Sequence, residues 1–136
     1  MVPQSLVYQG GLHCVATHGP SGVSLTTDAP TDNLGRGEFF SPSDLLVTAL
    51  ASCKLTTMAI FADRHNVKLD GCKIYAEKHM SVSGPRRIER IVMKIEFCAG
   101  IAADMRDKLE NVAKACPVAK SLSESVVQEV AFHYPD

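Results

Sequence analysis

The chain has almost no net charge, with 14 lysines and arginines against 15 aspartates and glutamates, a balance of −1. It therefore has no electrostatic surplus to draw it onto phosphate backbones or anionic lipid, and nucleic acid is not expected as a partner. Long apolar runs are missing as well: Ser, Thr, Lys and Asp interrupt each one before the roughly 20 residues that a bilayer span needs. Met1-Val2-Pro3-Gln4-Ser5 lacks the basic-then-apolar order of a signal peptide. The expectation is a soluble, cytoplasmic protein with no membrane partner. Also absent are CxxC and HExxH pairs, a GxSxG nucleophile elbow and the glycine pattern of a phosphate loop. The cysteine gaps from Cys53 to Cys116 are 19, 26 and 18 residues, and His13, His18, His65, His79 and His133 form no cluster at ligand spacing. No resident metal and no cofactor is expected from them.

What the sequence does contain is enough apolar surface for a core, at 46% hydrophobic and 21% charged residues, in 136 residues that fit one domain over 1–136. Weak alternation around Leu6, Tyr8, Leu12, Cys14 and Ala16, with turns at Gly10-Gly11 and Gly19-Pro20-Ser21-Gly22, predicts three short antiparallel strands ending in Val23 to Thr26. Residues 28–40 read as a shaped loop. Ser41-Pro42-Ser43-Asp44 then combines a hydroxyl N-cap, a proline at the first helical position and an acid in the first turn. From Leu45 to Phe61 apolar residues cover nearly every side, which predicts a helix buried all round. Cys72 to Val82 and Ile91 to Phe97 alternate as the two arms of a long hairpin around Ser83-Gly84-Pro85. Ile101 to Cys116 has helical spacing, Pro117 starts a second short helix, and Val126 to Tyr134 reads as a closing strand.

Five cysteines, an odd number, in a chain expected to be intracellular argue against a secreted type of disulfide framework. A reactive cysteine must be available as thiolate. If a helix starts at Pro117, Cys116 is its N-cap, close to free backbone N–H groups; it serves equally as a small apolar residue ending the face of Met105, Leu109 and Val112. Cys53 lies about 16 Å along its helix from Pro42, too far to use the same device. Lys54 is rotated by about 100° around the helix from it. Cys53 is thus either a buried free cysteine or a nucleophile served by a cation from another segment. Cys14 and Cys72 lie in the apolar phase of their strands, and Cys98 sits opposite that phase near a strand end; none of the three reads as a redox cysteine.

Three segments are more specific in combination than singly: Phe40-Ser41-Pro42-Ser43-Asp44-Leu45-Leu46, Ala49-Leu50-Ala51-Ser52-Cys53 and Ala115-Cys116-Pro117-Val118. Together with the strand-rich start, they resemble the OsmC/Ohr family of osmotically inducible and organic hydroperoxide resistance proteins over essentially the whole chain. The resemblance implies an α+β fold of order β-β-β-α-β-β-α-α-β, assembled as an intertwined homodimer with central helices buried. It implies a thiol peroxidase in oxidative-stress defence, with Cys53 as peroxidatic and Cys116 as resolving cysteine. The implied substrate is an organic hydroperoxide, and the implied reductant is a dithiol of lipoyl type.

The sequence departs from the most active branch of that family at two places. Ser43 stands where that branch has a glutamate ten residues before the peroxidatic cysteine, and the first arginine is Arg36 rather than one in the N-terminal strands. Arg36 and Glu38 are the candidates to restore this charge pair, should their loop fold over Cys53; otherwise they are solvated loop charges. The departures favour a rival reading, a catalytically silent dimer of the same fold that binds a small hydrophobic ligand. A structural zinc bound by scattered Cys and His is a third, weaker alternative.

Overall fold

The computed structural model describes residues 1–135 and places ten elements along the chain. They are β1 (Gln4–Gly10), β2 (His13–His18), β3 (Ser24–Asp28), a 3-10 turn (Thr31–Asn33), α1 (Pro42–Asp63), β4 (Lys73–Met80), β5 (Ile88–Glu96), α2 (Ala103–Lys114), α3 (Pro117–Ser121) and β6 (Val127–His133). The expected order β-β-β-α-β-β-α-α-β is present in full. The backbone divides into two compact units, Met1–Leu46 and Val47 onward.

In the first unit β1, β2 and β3 form an antiparallel sheet in sequence order, closed by the short turns the glycines announce. The loop that follows is organised around one carboxylate. Asp28 is almost fully buried, and its Oδ2 accepts the backbone N–H groups of Arg36 and Glu38 at 3.3 and 3.1 Å. Gly35 lies so close to the backbone of Ala29 that a Cβ there would overlap the Ala29 carbonyl. The loop therefore needs glycine at this point for space. At its end Ser41 and Asp44 cap α1 reciprocally: Asp44 N–H donates to Ser41 Oγ at 3.1 Å, and Ser41 N–H donates to Asp44 Oδ2 at 2.9 Å.

In the second unit β4, β5 and β6 form a sheet in that order, antiparallel between β4 and β5 and parallel between β5 and β6. The central strand β5 buries Ile91, Met93 and Ile95, its alternate residues. Two apolar clusters follow from this. One joins Met58 and Ala62 of α1 to Ile95, Phe97, Ile101, Met105, Leu109 and Ala113; the other joins Val47, Leu50 and Ala51 to Ile91, Met93 and Cys116.

α1 corrects two expectations. At 22 residues it is long and apolar enough to cross a membrane by length and composition, so the apolar stretch does reach that length. One face of it packs inward, with Leu50, Lys54, Met58 and Ala62 buried at helical spacing, while 33% of the apolar stretch as a whole is buried. It is also not covered on every side by its own chain: Leu46 and Ile60 stay exposed, the latter at 52%.

Removing the Ser41 hydroxyl breaks half of the reciprocal cap. Ser41→Ala is expected to cost about 1 kcal/mol, read as a fall of about 3 °C in the thermal midpoint. Ser41→Asp, which keeps an acceptor, should recover most of it.

Candidate active site

The two cysteines singled out in the sequence meet in the second unit, although 63 residues separate them by number. α1 carries Cys53 at the start of its fourth turn, and the break between α2 and α3 brings Cys116 to it. Pro117 occupies the first helical position of α3 and leaves Cys116 as its N-cap residue, in extended backbone conformation. Cys116 is fully buried and Cys53 half-buried, and the two lie in the same apolar cluster.

The two sulfurs differ in their readiness to ionise. Burial pushes the Cys53 thiol up, but the Val118 amide, the Thr57 hydroxyl, the Cys116 thiol and the positive charge of Lys54 together outweigh it, so Cys53 ends below the ordinary cysteine value. Thr57 Oγ1, one turn along α1, is 3.8 Å from Cys53 Sγ. Burial also pushes the Cys116 thiol up, and there it prevails over the Ala119 amide and Lys54, with the Cys53 sulfur adding to the rise. The N-cap position expected for Cys116 is therefore present. The amides of α3 serve both sulfurs, Val118 acting on Cys53 and Ala119 on Cys116, but the favoured anion is Cys53.

Lys54 is the residue that the sequence reading set aside. Its side chain is 1% exposed, and its ammonium donates to the carbonyl of Ala113 at 2.9 Å. Ala113 lies in the last turn of α2, where carbonyls have no intrahelical partner and the helix end is electronegative. The 100° rotation from Cys53 holds for the Cα–Cβ bond alone; four methylenes let the charge act on the neighbouring sulfur nonetheless. Burial pushes Lys54 below the ordinary lysine value, opposed by the Cys116 and Cys53 sulfurs. Beside Lys54 a cavity of about 330 Å³ is lined by Lys54, Lys114, Gln128 and Val130, the last two from β6.

Arg36 and Glu38 lie in the first unit, where they pair with each other at 3.5 Å on a solvated loop, the arginine side chain being 82% exposed. His13, one of the histidines that form no cluster at ligand spacing in the sequence, is opposite Asp28 in the β2–β3 register, with Nε2 at 3.5 Å from Asp28 Oδ1. With Glu38 these two present ligand atoms that lie within 4.8 Å of one another. The sequence pattern concealed the trio because its members come from two strands and a loop.

Two outcomes follow from these charges. Burial pushes the Asp28 carboxyl up, but the Glu38 amide, the His13 charge and the Arg36 and Ala29 amides hold it below the ordinary carboxylate value. A depressed carboxylate contributes stability above its unfolded value and loses it as pH falls through the folded one. Asp28→Asn should therefore lower stability at neutral pH and flatten the acid limb of a denaturation series; an unchanged limb would contradict the loop's dependence on this anion. Lys54→Met keeps the length of the side chain and removes its charge. The pH midpoint of iodoacetamide labelling at Cys53 should then move upward, and a midpoint that stays in place would show that the lysine does not hold the thiolate.

The profile of the family described as OsmC-like protein matches residues 35–131. No curated protein matches the chain. Among solved structures, a protein from Psychrobacter arcticus 273-4, provisionally named an osmotic stress induced and detoxification response protein, superposes with a TM-score of 0.92 at 38% identity, covering 98% of this chain and 96% of that one. Two further structures share the fold at lower identity. They are an organic hydroperoxide resistance protein OsmC from Legionella pneumophila (TM-score 0.76, 13% identity, 97% and 96% covered) and the organic hydroperoxide resistance protein OhrB of Bacillus subtilis (TM-score 0.72, 18% identity, 98% of each chain covered). With the profile spanning most of the chain and a 38% identical structure covering 98% of it, the chain belongs to the OsmC-like family.

Proposed function

We propose that this chain is a cytoplasmic, thiol-dependent peroxidase that reduces organic hydroperoxides in oxidative-stress defence. Two relatives of the same fold are named for organic hydroperoxide resistance, which supports a stress-related role. The observation that carries the reading is that α1 and the break before α3 bring Cys53 and Cys116 into one cluster beside the buried Lys54 ammonium, where Cys53 is lowered and Cys116 raised.

In this reading Cys53 thiolate attacks the terminal oxygen of the hydroperoxide. The O–O bond breaks, Cys53 keeps the terminal OH as a sulfenic acid, and the departing alkoxide takes up from solvent the proton that Cys53 released on ionising, leaving as the alcohol. Cys116 then attacks the Cys53 sulfur, water departs, and a disulfide forms that protects Cys53 from further oxidation. A dithiol reductant, of lipoyl type in the hydroperoxide resistance branch, returns both thiols by exchange. The Lys54 ammonium stabilises the thiolate before attack.

The assembly in this proposal is a homodimer. α1 leaves Leu46 and Ile60 exposed on an apolar helix, a face that a second copy would cover. Arg36 and Glu38 keep a role in the proposal only as a pair acting on the thiolate in that assembly, and Lys54 is preferred to them because it acts on Cys53 within one chain. A second reading, a silent dimer that binds a small hydrophobic ligand, draws on a cavity of about 540 Å³ in the first unit whose lining includes Leu25, Phe39 and Phe40.

The test is turnover of cumene hydroperoxide with a dithiol. Cys53→Ser should fall to the uncatalysed background, and Cys116→Ser should consume a single equivalent and accumulate oxidised Cys53. Lys54→Met should lose on the order of 100-fold in rate, against little change for Arg36→Met. A Cys53→Ser protein that retained the parent rate would remove the assignment of Cys53 as the peroxidatic residue, and a parent rate at the uncatalysed background would favour ligand binding.

A further inference from the structure

Two other cysteines meet away from this site. Cys72 immediately precedes β4, and Cys98 follows Phe97 just beyond β5; the register pairing Lys73 with Glu96 brings these two ends of the hairpin side by side. Their sulfurs are 3.1 Å apart. The backbone N–H of Cys98 donates to Cys72 Sγ at 3.1 Å, and the Cys98 thiol faces the Lys68 carbonyl at 3.5 Å. Both residues are half-buried. They pack against the cluster of Met58, Ala62 and Phe97, whereas Cys53 and Cys116 belong to the other cluster. The pairs are therefore separate in the fold.

A disulfide needs two Cβ atoms about 4 Å apart and a bond of about 2.05 Å, so sulfurs already in contact have to close by roughly 1 Å. The backbone is anchored on both sides of the contact. Cys72 N–H bonds the Leu69 carbonyl, and Phe97 N–H bonds the His133 carbonyl of β6. Closure would join residues 26 apart in sequence and hold the open end of the hairpin, restricting the unfolded chain more than the folded one.

We propose that Cys72 and Cys98 form a second dithiol–disulfide couple, independent of Cys53 and Cys116, which staples the β4–β5 hairpin when it exchanges with a low-molecular-weight disulfide. Cys98 thiolate attacks one sulfur of the small disulfide, breaking its S–S bond and releasing one thiolate. Cys72 then attacks the Cys98 sulfur of the mixed disulfide and releases the second. The two protons lost by the protein end on the two small thiols, so the protein is oxidised by two electrons and the small disulfide is reduced to two thiols. This order of attack follows from the environment of Cys72, whose thiol burial pushes up to about 11.

The experiment uses the full chain carrying Cys14→Ser, Cys53→Ser and Cys116→Ser, incubated with oxidised glutathione. Intact mass is expected to fall by two hydrogens, a tryptic peptide pair should be crosslinked through Cys72 and Cys98, and the thermal midpoint should rise by several degrees. Adding Cys98→Ser should abolish all three changes. A persistent glutathione adduct, unchanged thiols, or a metal ion retained between the sulfurs in native mass spectra would each overturn the proposal. Should the triple variant fold poorly, peptide mapping of the unmodified protein under the same oxidant decides the matter, since the Cys72–Cys98 crosslink is scored separately from any Cys53–Cys116 crosslink. Failure of the peroxidase reading would leave that result unaffected.

Discussion

A lysine ammonium buried in the second unit is the constraint around which the candidate site is organised. Taking such a charge out of water costs several kcal/mol after relaxation unless it is paired and hydrogen-bonded. Lys54 meets this cost with the Ala113 carbonyl at the end of α2 and with the two sulfurs of Cys53 and Cys116. The compensation works in both directions. The lysine retains its charge more readily because a sulfur can become anionic beside it, and Cys53 ionises more readily because the lysine is there.

The rest of the unit supports that arrangement. Leu50 and Met58 lie one turn on either side of Lys54 and face the same way, so the stripe that packs α1 also carries the lysine inward. Pro117 ends one helix and opens the next, and the amides exposed by that break face the sulfurs. β5, hydrogen-bonded on both sides, carries the buried residues on which both clusters rest. Two elements with no local relation, a mid-helix cysteine and an interhelix cysteine, thus acquire different acidities from a shared environment.

Much of the fold was legible because its signals are local. The Ser41-Pro42-Ser43-Asp44 start, the glycine turns and the two alternating arms of the hairpin each depend on residues a few positions apart, and each appears where it was read. The candidate cysteines were legible by a longer pattern, a mid-helix cysteine followed by Cys-Pro-Val, which resembled a family that the chain proved to belong to. Lys54 was missed for a definable reason. Helical phase positions a Cβ, but a side chain with four methylenes can carry its charge back to a neighbour. Cys72 and Cys98 were read singly, one as core and one as strand end, and their contact exists only once the hairpin register is set.

By itself, the sequence determined the order of elements, the start of α1, the break at Pro117 and the chemical type of the groups available, since all of these follow from short-range backbone preferences and composition. The tertiary structure decided which sulfur is the more acidic, which cation serves it and which cysteines touch. Those outcomes turn on desolvation and on distances between side chains from different elements, quantities that no local pattern encodes.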